Sequence, residues 1–219
     1  MNLGDRRLYL CTGDRPDLSE FIAACVRGGV DVVQLREKAL FDGELISRAR
    51  IARETCGELG VPFVLNDRPD LLAETDADGV HVGQDDMTVE KARTVIGENR
   101  MLGLSTHDPE QLEQALGEPV DYISAGPVVP TPTKPGRPGT GLGYVSEASR
   151  RCGSQQPPMP LFVTGDARPA TVEAMVGAGA RRIVVVRWLT ESDEPERSAR
   201  EIREALDRAI ERAGRSAGR

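Results

Sequence analysis

Val30-Asp31-Val32-Val33-Gln34-Leu35-Arg36-Glu37-Lys38 reads as a short valine-rich strand that runs straight into a polar and charged cluster. The same arrangement recurs three times. Val61–Leu65 leads into Asn66-Asp67-Arg68-Pro69-Asp70, and Gly79–Val82 leads into Gly83-Gln84-Asp85-Asp86. Tyr122–Ala125 leads into a loop that carries Pro130-Thr131-Pro132-Thr133-Lys134. Cations, carboxylates and hydroxyls gathered at the carboxyl ends of successive parallel strands are what a Mg²⁺–diphosphate site in a (β/α)₈ barrel requires.

Working outward from these clusters, strand and helix patterns alternate along the whole chain. Arg7–Cys11 is a short apolar run. Leu18–Arg27 has helical spacing (Leu18, Phe21, Ile22, Cys25, Val26) and stops at Gly28-Gly29. The β pattern from Val30 extends to Leu35. A helix begins at Asp42 and ends near Gly57 or Gly60. Pro69–Glu74 is a short helix, Val89–Ile96 a helix, Met101–Ser105 a strand, and Pro109–Leu116 a helix with Asp108 as N-cap. The strand ending at Ala125 begins at Val120. Leu142–Cys152 contains a helix, Met159–Val163 is a strand, Pro169–Ala178 a helix and Ile183–Val186 a strand. Glu196–Ala213 is the last amphipathic helix. Eight strands and eight helical segments in βα alternation predict a parallel sheet, and eight units predict closure into a (β/α)₈ barrel. A doubly wound open sheet is the structural alternative. The 219 residues suit one domain, with no linker inside residues 7–213 and a small, polar, frayed tail over 214–219.

Composition narrows the class. Hydrophobic residues make up 39%, enough for a packed core. No apolar stretch reaches the roughly 18 residues of a membrane span. The N-terminus lacks the apolar core and cleavage site of a signal peptide. Cys11, Cys25, Cys56 and Cys152 are scattered, without Cys-x-x-Cys or zinc spacing, as reduced thiols of a cytoplasmic protein are. A net charge of −7 opposes general nucleic-acid binding but leaves room for a locally basic anion pocket. Partners are therefore expected to be small molecules. The oligomeric state is left open, and a homo-oligomer is compatible with the sequence.

Each cluster supports a definite chemistry and a plainer alternative. Arg36 and Lys38 share one side of an extended strand end, in line with Gln34, while Glu37 faces away. Two cations and an amide suit a polyphosphate beside a hydrogen-bonding ring, or else a solvated strand end. Asp67 and Asp86 follow separate strands and form a reasonable Mg²⁺ pair, with Asn66 near the same phosphate. Alternatively, Asp67 is a turn residue before Arg68-Pro69 and Asp86 caps the helix from Val89. His81 and His107 read as structural, and no Ser-His-Asp or Cys-His arrangement is present. The connection between Gly126 and Gly143 exceeds the usual βα length of about 2–6 residues, which fits a closing lid or a surface insertion. The ends of strands seven and eight, Val163-Thr164-Gly165-Asp166 and Val186-Arg187-Trp188, are candidates for a second phosphate site. There Arg187 either meets phosphate or pairs with an acid such as Glu191.

Taken together, QLREK at 34–38, NDRPDL at 66–71, DGVHVGQDD at 78–86, GLSTH at 103–107 and GPVVPTPTK at 126–134 closely resemble thiamine phosphate synthase. The resemblance runs from about Arg7 to Ala213. It implies a (β/α)₈ barrel that condenses 4-amino-5-hydroxymethyl-2-methylpyrimidine diphosphate with 4-methyl-5-(2-phosphoethyl)thiazole, with Mg²⁺, to give thiamine phosphate and diphosphate. It further implies that Arg36, Lys38, Asn66 and Lys134 hold the diphosphate, that Asp67 and Asp86 hold Mg²⁺, and that Gln34 and Ser105 bond the pyrimidine and its reacting region. Thr131 and Thr133 would meet the thiazole phosphate, with backbone at Gly165, Val186 and Arg187. Arg36, Lys38, Ser105 and Lys134 would be catalytic. Two positions depart from the family pattern. Asp166 stands where a second glycine is usual, and Arg187 where a serine often follows strand eight. Asp166 would repel phosphate if it faced inward. A thiazole tautomerase-like relative is the nearest rival, but Asp86 and Pro127 both favour the synthase. A non-catalytic phosphate-binding barrel with a decayed thiazole site is a second rival.

Overall fold

The structure is a computed structural model that describes residues 3–131 and 138–217. Eight strands close into a parallel barrel in sequence order: β1 (Leu8–Thr12), β2 (Val32–Leu35), β3 (Phe63–Asn66), β4 (Gly79–Val82), β5 (Met101–Thr106), β6 (Tyr122–Ala125), β7 (Leu161–Val163) and β8 (Ile183–Val185). Strand β8 returns to β1 through Leu8–Ile183, Tyr9–Val184 and Leu10–Val185 pairing, which removes the open-sheet alternative.

The helices form the outer layer: α1 (Leu18–Arg27), α2 (Asp42–Glu58), α3 (Leu72–Thr75, preceded by a 3₁₀ turn over Pro69–Leu71), α4 (Val89–Ile96), α5 (Pro109–Leu116), α6 (Gly141–Gly153), α7 (Pro169–Gly177), α8 (Arg187–Thr190) and α9 (Pro195–Ala217). Two differences from the sequence reading stand out. The chain turns directly from β8 into a short helix at Arg187, a four-residue segment too brief to show a periodic pattern. The last helix runs on to Ala217, past the expected stop at Ala213, and a Glu211–Arg215 pair one turn apart joins the expected helix to the segment expected to fray.

Strand geometry sends alternate residues to opposite faces. The outward set packs under the helices, with Leu8, Leu10, Val33, Leu65, Val80 and Ile123 fully or almost fully buried. The inward set forms the barrel interior. Its lower layer is Tyr9, Val32, Val64, Met101, Tyr122 and Phe162, joined by Leu3 from below. Phe162 meets Tyr9 edge-on at 5.2 Å and Tyr122 at 5.6 Å between ring centroids. Gly103 makes room for this stack, since a Cβ there would lie 2.1 Å from the Tyr122 ring and 2.5 Å from His81 Nδ1.

The bottom of the barrel repeats one device three times. An aspartate just before an even-numbered strand accepts a backbone N–H of the strand before it. Asp31 takes Leu8 N–H at 2.9 Å, Asp78 takes Phe63 N–H at 2.9 Å, and Asp121 takes Leu102 N–H at 2.8 Å. Each carboxylate also faces an arginine: Arg203 at 2.9 Å, Arg53 at 3.5 Å and Arg93 at 2.7 Å, respectively. A buried N–H needs an acceptor, and these side chains supply it where the ladder ends. The lower half is thereby fixed, and the carboxyl ends of the strands are left for chemistry.

Candidate active site

Two residues above each inward apolar side chain, the barrel interior turns polar. Tyr9 is followed by Cys11, Val32 by Gln34, Val64 by Asn66 and Tyr122 by Ser124, while His81 and Ser105 come from β4 and β5. These side chains form the floor of a cavity of about 510 Å³ at the carboxyl end of the barrel. Its wall adds Arg36, Thr131, Gly165, Val186 and Arg187. Eight residues singled out from the sequence thus converge on one cavity: Gln34, Arg36, Asn66, Ser105, Thr131, Gly165, Val186 and Arg187.

The floor is a continuous hydrogen-bonded chain. Cys11 Sγ donates to Gln34 Oε1 at 3.3 Å, and Gln34 Nε2 donates to the Tyr9 hydroxyl at 2.8 Å. The Tyr9 and Tyr122 hydroxyls share a bond of 3.0 Å. His81 then bridges outward, with Nδ1 3.0 Å from the Tyr122 hydroxyl and Nε2 2.8 Å from Ser105 Oγ. Ser124 Oγ donates to Ser105 Oγ at 3.3 Å. Burial pushes both tyrosine hydroxyls up from their ordinary range, so they stay protonated. The chain pins Gln34 and Ser105 at the cavity floor. The sequence reading of His81 as structural matches its burial, but it missed that His81 holds Ser105. Alternation along β4 and β5 carries that signal.

Lys38, Asp67 and Asp86 form a second group beside the cavity. Lys38 Nζ lies 2.7 Å from Asp67 Oδ2. Asp86 Oδ2 accepts the Gly83 N–H at 2.8 Å, so its carboxylate braces its own loop. It does not cap α4, whose N-cap is Thr88. Burial, and next the hydrogen-bonded Asp67 carboxylate, raise the Asp86 carboxyl above its usual value. Two carboxylates therefore face one another, the repulsive arrangement that a cation relieves. Asp67 also adopts the left-handed region at φ 60°, uncommon for a non-glycine residue, while its N–H still reaches His81 O at 2.8 Å. Among the described residues no cluster of three or more His, Cys, Asp or Glu side chains forms a metal cage. A carboxylate pair is the donor set of an ion such as Mg²⁺, which completes its shell with water and phosphate oxygens.

The far wall is made at the ends of β6, β7 and β8. Gly165 has φ +110°, and a Cβ there would sit 2.3 Å from Val128 N, so only glycine lets the β6 and β7 loops meet. Both ends of the long connection after β6 are tied together: Thr140 N–H donates to Pro127 O at 2.8 Å and Gly141 N–H to Val128 O at 3.0 Å. Asp166 follows with φ 53°, the backbone a glycine would favour. Its Oδ2 accepts from Arg168 Nε at 3.0 Å, and its Oδ1 lies 3.8 Å from Arg187 Nη2. Arg187 is therefore the ionic partner of Asp166 rather than of Glu191. The expected roles of Thr133 and Lys134 fall on residues outside those the structure describes.

Comparison with known proteins gives a consistent answer. The profile of a family described as thiamine monophosphate synthase matches residues 8–189. A Thermus thermophilus protein named thiamine-phosphate synthase is 45% identical over 205 residues, 91% of this chain and 97% of that protein. A Mycobacterium sp. protein of the same name is 41% identical over 216 residues, 93% of this chain and 94% of that one. Among solved structures, thiamine phosphate pyrophosphorylase from Pyrococcus furiosus has a TM-score of 0.82, covering 94% of this chain and 98% of its own. At 24% identity it supports the barrel alone. No helix among the described residues is long and apolar enough to cross a membrane.

Proposed function

We propose a substitution at carbon for this chain, which belongs to the thiamine monophosphate synthase family. Its function is that of a thiamine-phosphate synthase, and it is a transferase. The proposed substrates are 4-amino-5-hydroxymethyl-2-methylpyrimidine diphosphate and 4-methyl-5-(2-phosphoethyl)thiazole, and the products are thiamine phosphate and diphosphate. The observation that carries the reading is the two-ended cavity. Amide, hydroxyl and cation groups of Gln34, Asn66, Ser105 and Arg36 line one part, and Gly165, Val186 and Arg187 line another.

The chemistry follows from charge. Diphosphate leaves carbon readily only when its negative charge is offset as the C–O bond breaks. Arg36 and Lys38 supply guanidinium and ammonium groups for this, and Lys134 adds a third cation from the long loop. Asp67 and Asp86 would hold Mg²⁺, which when bound adds positive charge at the leaving oxygens. Gln34 and Ser105, fixed from below, orient the pyrimidine. The C–O electron pair departs with diphosphate, the aminopyrimidine stabilises the cationic carbon, and the thiazole nitrogen lone pair makes the new C–N bond. No proton has to be removed and no enzyme nucleophile is needed.

The test is incubation of the purified protein with both substrates and Mg²⁺, reading thiamine phosphate and diphosphate together. Equal amounts of the two products support the reading. Diphosphate release without thiamine phosphate would mean that water, not the thiazole, is the acceptor, and would overturn it.

A further inference from the structure

Two residues that depart from the family pattern, Asp166 and Arg187, are partners of one another. With Arg168 they form a corner of the cavity wall built entirely of charged side chains. The two contacts of Asp166 differ in kind. Its bond to Arg168 Nε is a hydrogen bond of 3.0 Å, whereas Arg187 stands at 3.8 Å, an ionic contact too long for a hydrogen bond. Among the described residues the Arg187 guanidinium makes no hydrogen bond, so its donors remain available to a ligand. Asp166 is not a loose carboxylate. Its left-handed backbone, and the 2.6 Å bond from Thr171 Oγ1 to its carbonyl oxygen, fix where the side chain starts. Two guanidiniums and one carboxylate leave one net positive charge.

We infer that Arg187 recognises the phosphate monoester of the second substrate, that Asp166 is the carboxylate which this phosphate displaces from Arg187, and that Arg168 retains Asp166 after the exchange. The identity of the anion rests on the function proposed above. The geometry of the corner does not. A guanidinium fork matches phosphate in a bidentate way, and a dianion outcompetes a carboxylate held at 3.8 Å. Asp166 is then a specificity determinant. It weakens capture of any anion in proportion to how poorly that anion replaces it, and so favours a phosphate monoester over the free alcohol or a carboxylate.

The test is calorimetric titration of inorganic phosphate at fixed ionic strength into wild type, Asp166→Asn, Arg187→Ser, the double variant and Arg168→Ala. Asparagine tolerates the left-handed backbone, so the first substitution keeps the fold. Arg187→Ser is expected to weaken phosphate about tenfold or more, the scale of one charge-assisted bond. Asp166→Asn is expected to tighten it about threefold or more, and to do far less in the Arg187→Ser background, because the two side chains act on each other. Arg168→Ala is expected to weaken it by leaving Asp166 to Arg187 alone. In steady-state assays the KM for the thiazole phosphate moves in the same directions and the KM for the pyrimidine diphosphate does not. Weaker or unchanged phosphate binding in Asp166→Asn, or an equal gain with and without Arg187, overturns the inference. If phosphate binding follows this pattern but no thiamine phosphate forms, the proposed reaction fails and the corner stands.

Discussion

Lys38 holds its ammonium 2.7 Å from the Asp67 carboxylate, so a side chain proposed for the diphosphate and one proposed for Mg²⁺ are ionic partners. In the proposed mechanism a Mg²⁺–diphosphate complex would exchange this pair for two new ones, Lys38 with phosphate and Asp67 with the metal. Asp67→Asn should raise the Mg²⁺ concentration for half-maximal rate by at least about 10–100-fold, the loss seen even for residues that only support a metal ligand. Asp86→Ala should lower kcat by about 10²–10³-fold, the effect of removing one electrostatic stabiliser. Rates measured against Mg²⁺ concentration check both, and near-wild-type curves would remove the pair from the mechanism.

His81 carries no expected contact with substrate, yet it joins Ser105 to the Tyr122–Tyr9–Gln34 chain. His81→Phe should lower kcat by about 10–100-fold, because a small displacement of a positioning contact carries that penalty. It should also cost about 1–3 kcal/mol of stability for the two buried hydrogen bonds it removes, those to the Tyr122 and Ser105 hydroxyls. Kinetics and denaturant unfolding on the same preparation separate the two effects.

Asp121→Ala acts at the opposite end. It removes the acceptor for Leu102 N–H and one partner of the buried Arg93, at about 2 kcal/mol. The Tm should fall by about 4–8 °C, with kcat per folded molecule unchanged. A loss of kcat at a temperature well below the new Tm would contradict the division between a stabilising bottom and a reactive top.

Cys25, Cys56 and Cys152 lie in the core, and burial pushes their thiols up to about 12, 12 and 11. In the unfolded chain they ionise near 8.5. The folded state therefore keeps protons that the unfolded state loses. This contribution is complete below about pH 8.5 and is lost as pH rises toward the folded values, at up to about 1.4 kcal/mol per pH unit for each thiol. Urea unfolding from pH 8 to 10 should show the decline, and Cys56→Ala should flatten it.

Much of this was legible in the chain. The βα alternation fixed the barrel because each apolar run ended at a polar cluster, and the clusters marked the carboxyl ends. Gln34, Arg36, Asn66 and Ser105 fell on one cavity because strand direction and period two leave little freedom at a strand end. Two residues of the floor are readable by the same rule: Cys11 and Ser124 each follow an inward aromatic residue by two positions. Three things were out of reach. The Asp31, Asp78 and Asp121 series joins residues from different strands and helices, which no local pattern reports. The pairing of Asp166 with Arg187 crosses two loops. The helix Arg187–Thr190 is shorter than one hydrophobic repeat.

The most direct test of the central claim, that leaving-group charge is offset by Mg²⁺ and a cluster of cations, is the rate of thiamine phosphate formation with saturating substrates before and after chelation of Mg²⁺. The account predicts a collapse of at least about 10²-fold that added Mg²⁺ restores. A rate that persists in the chelated protein would contradict it.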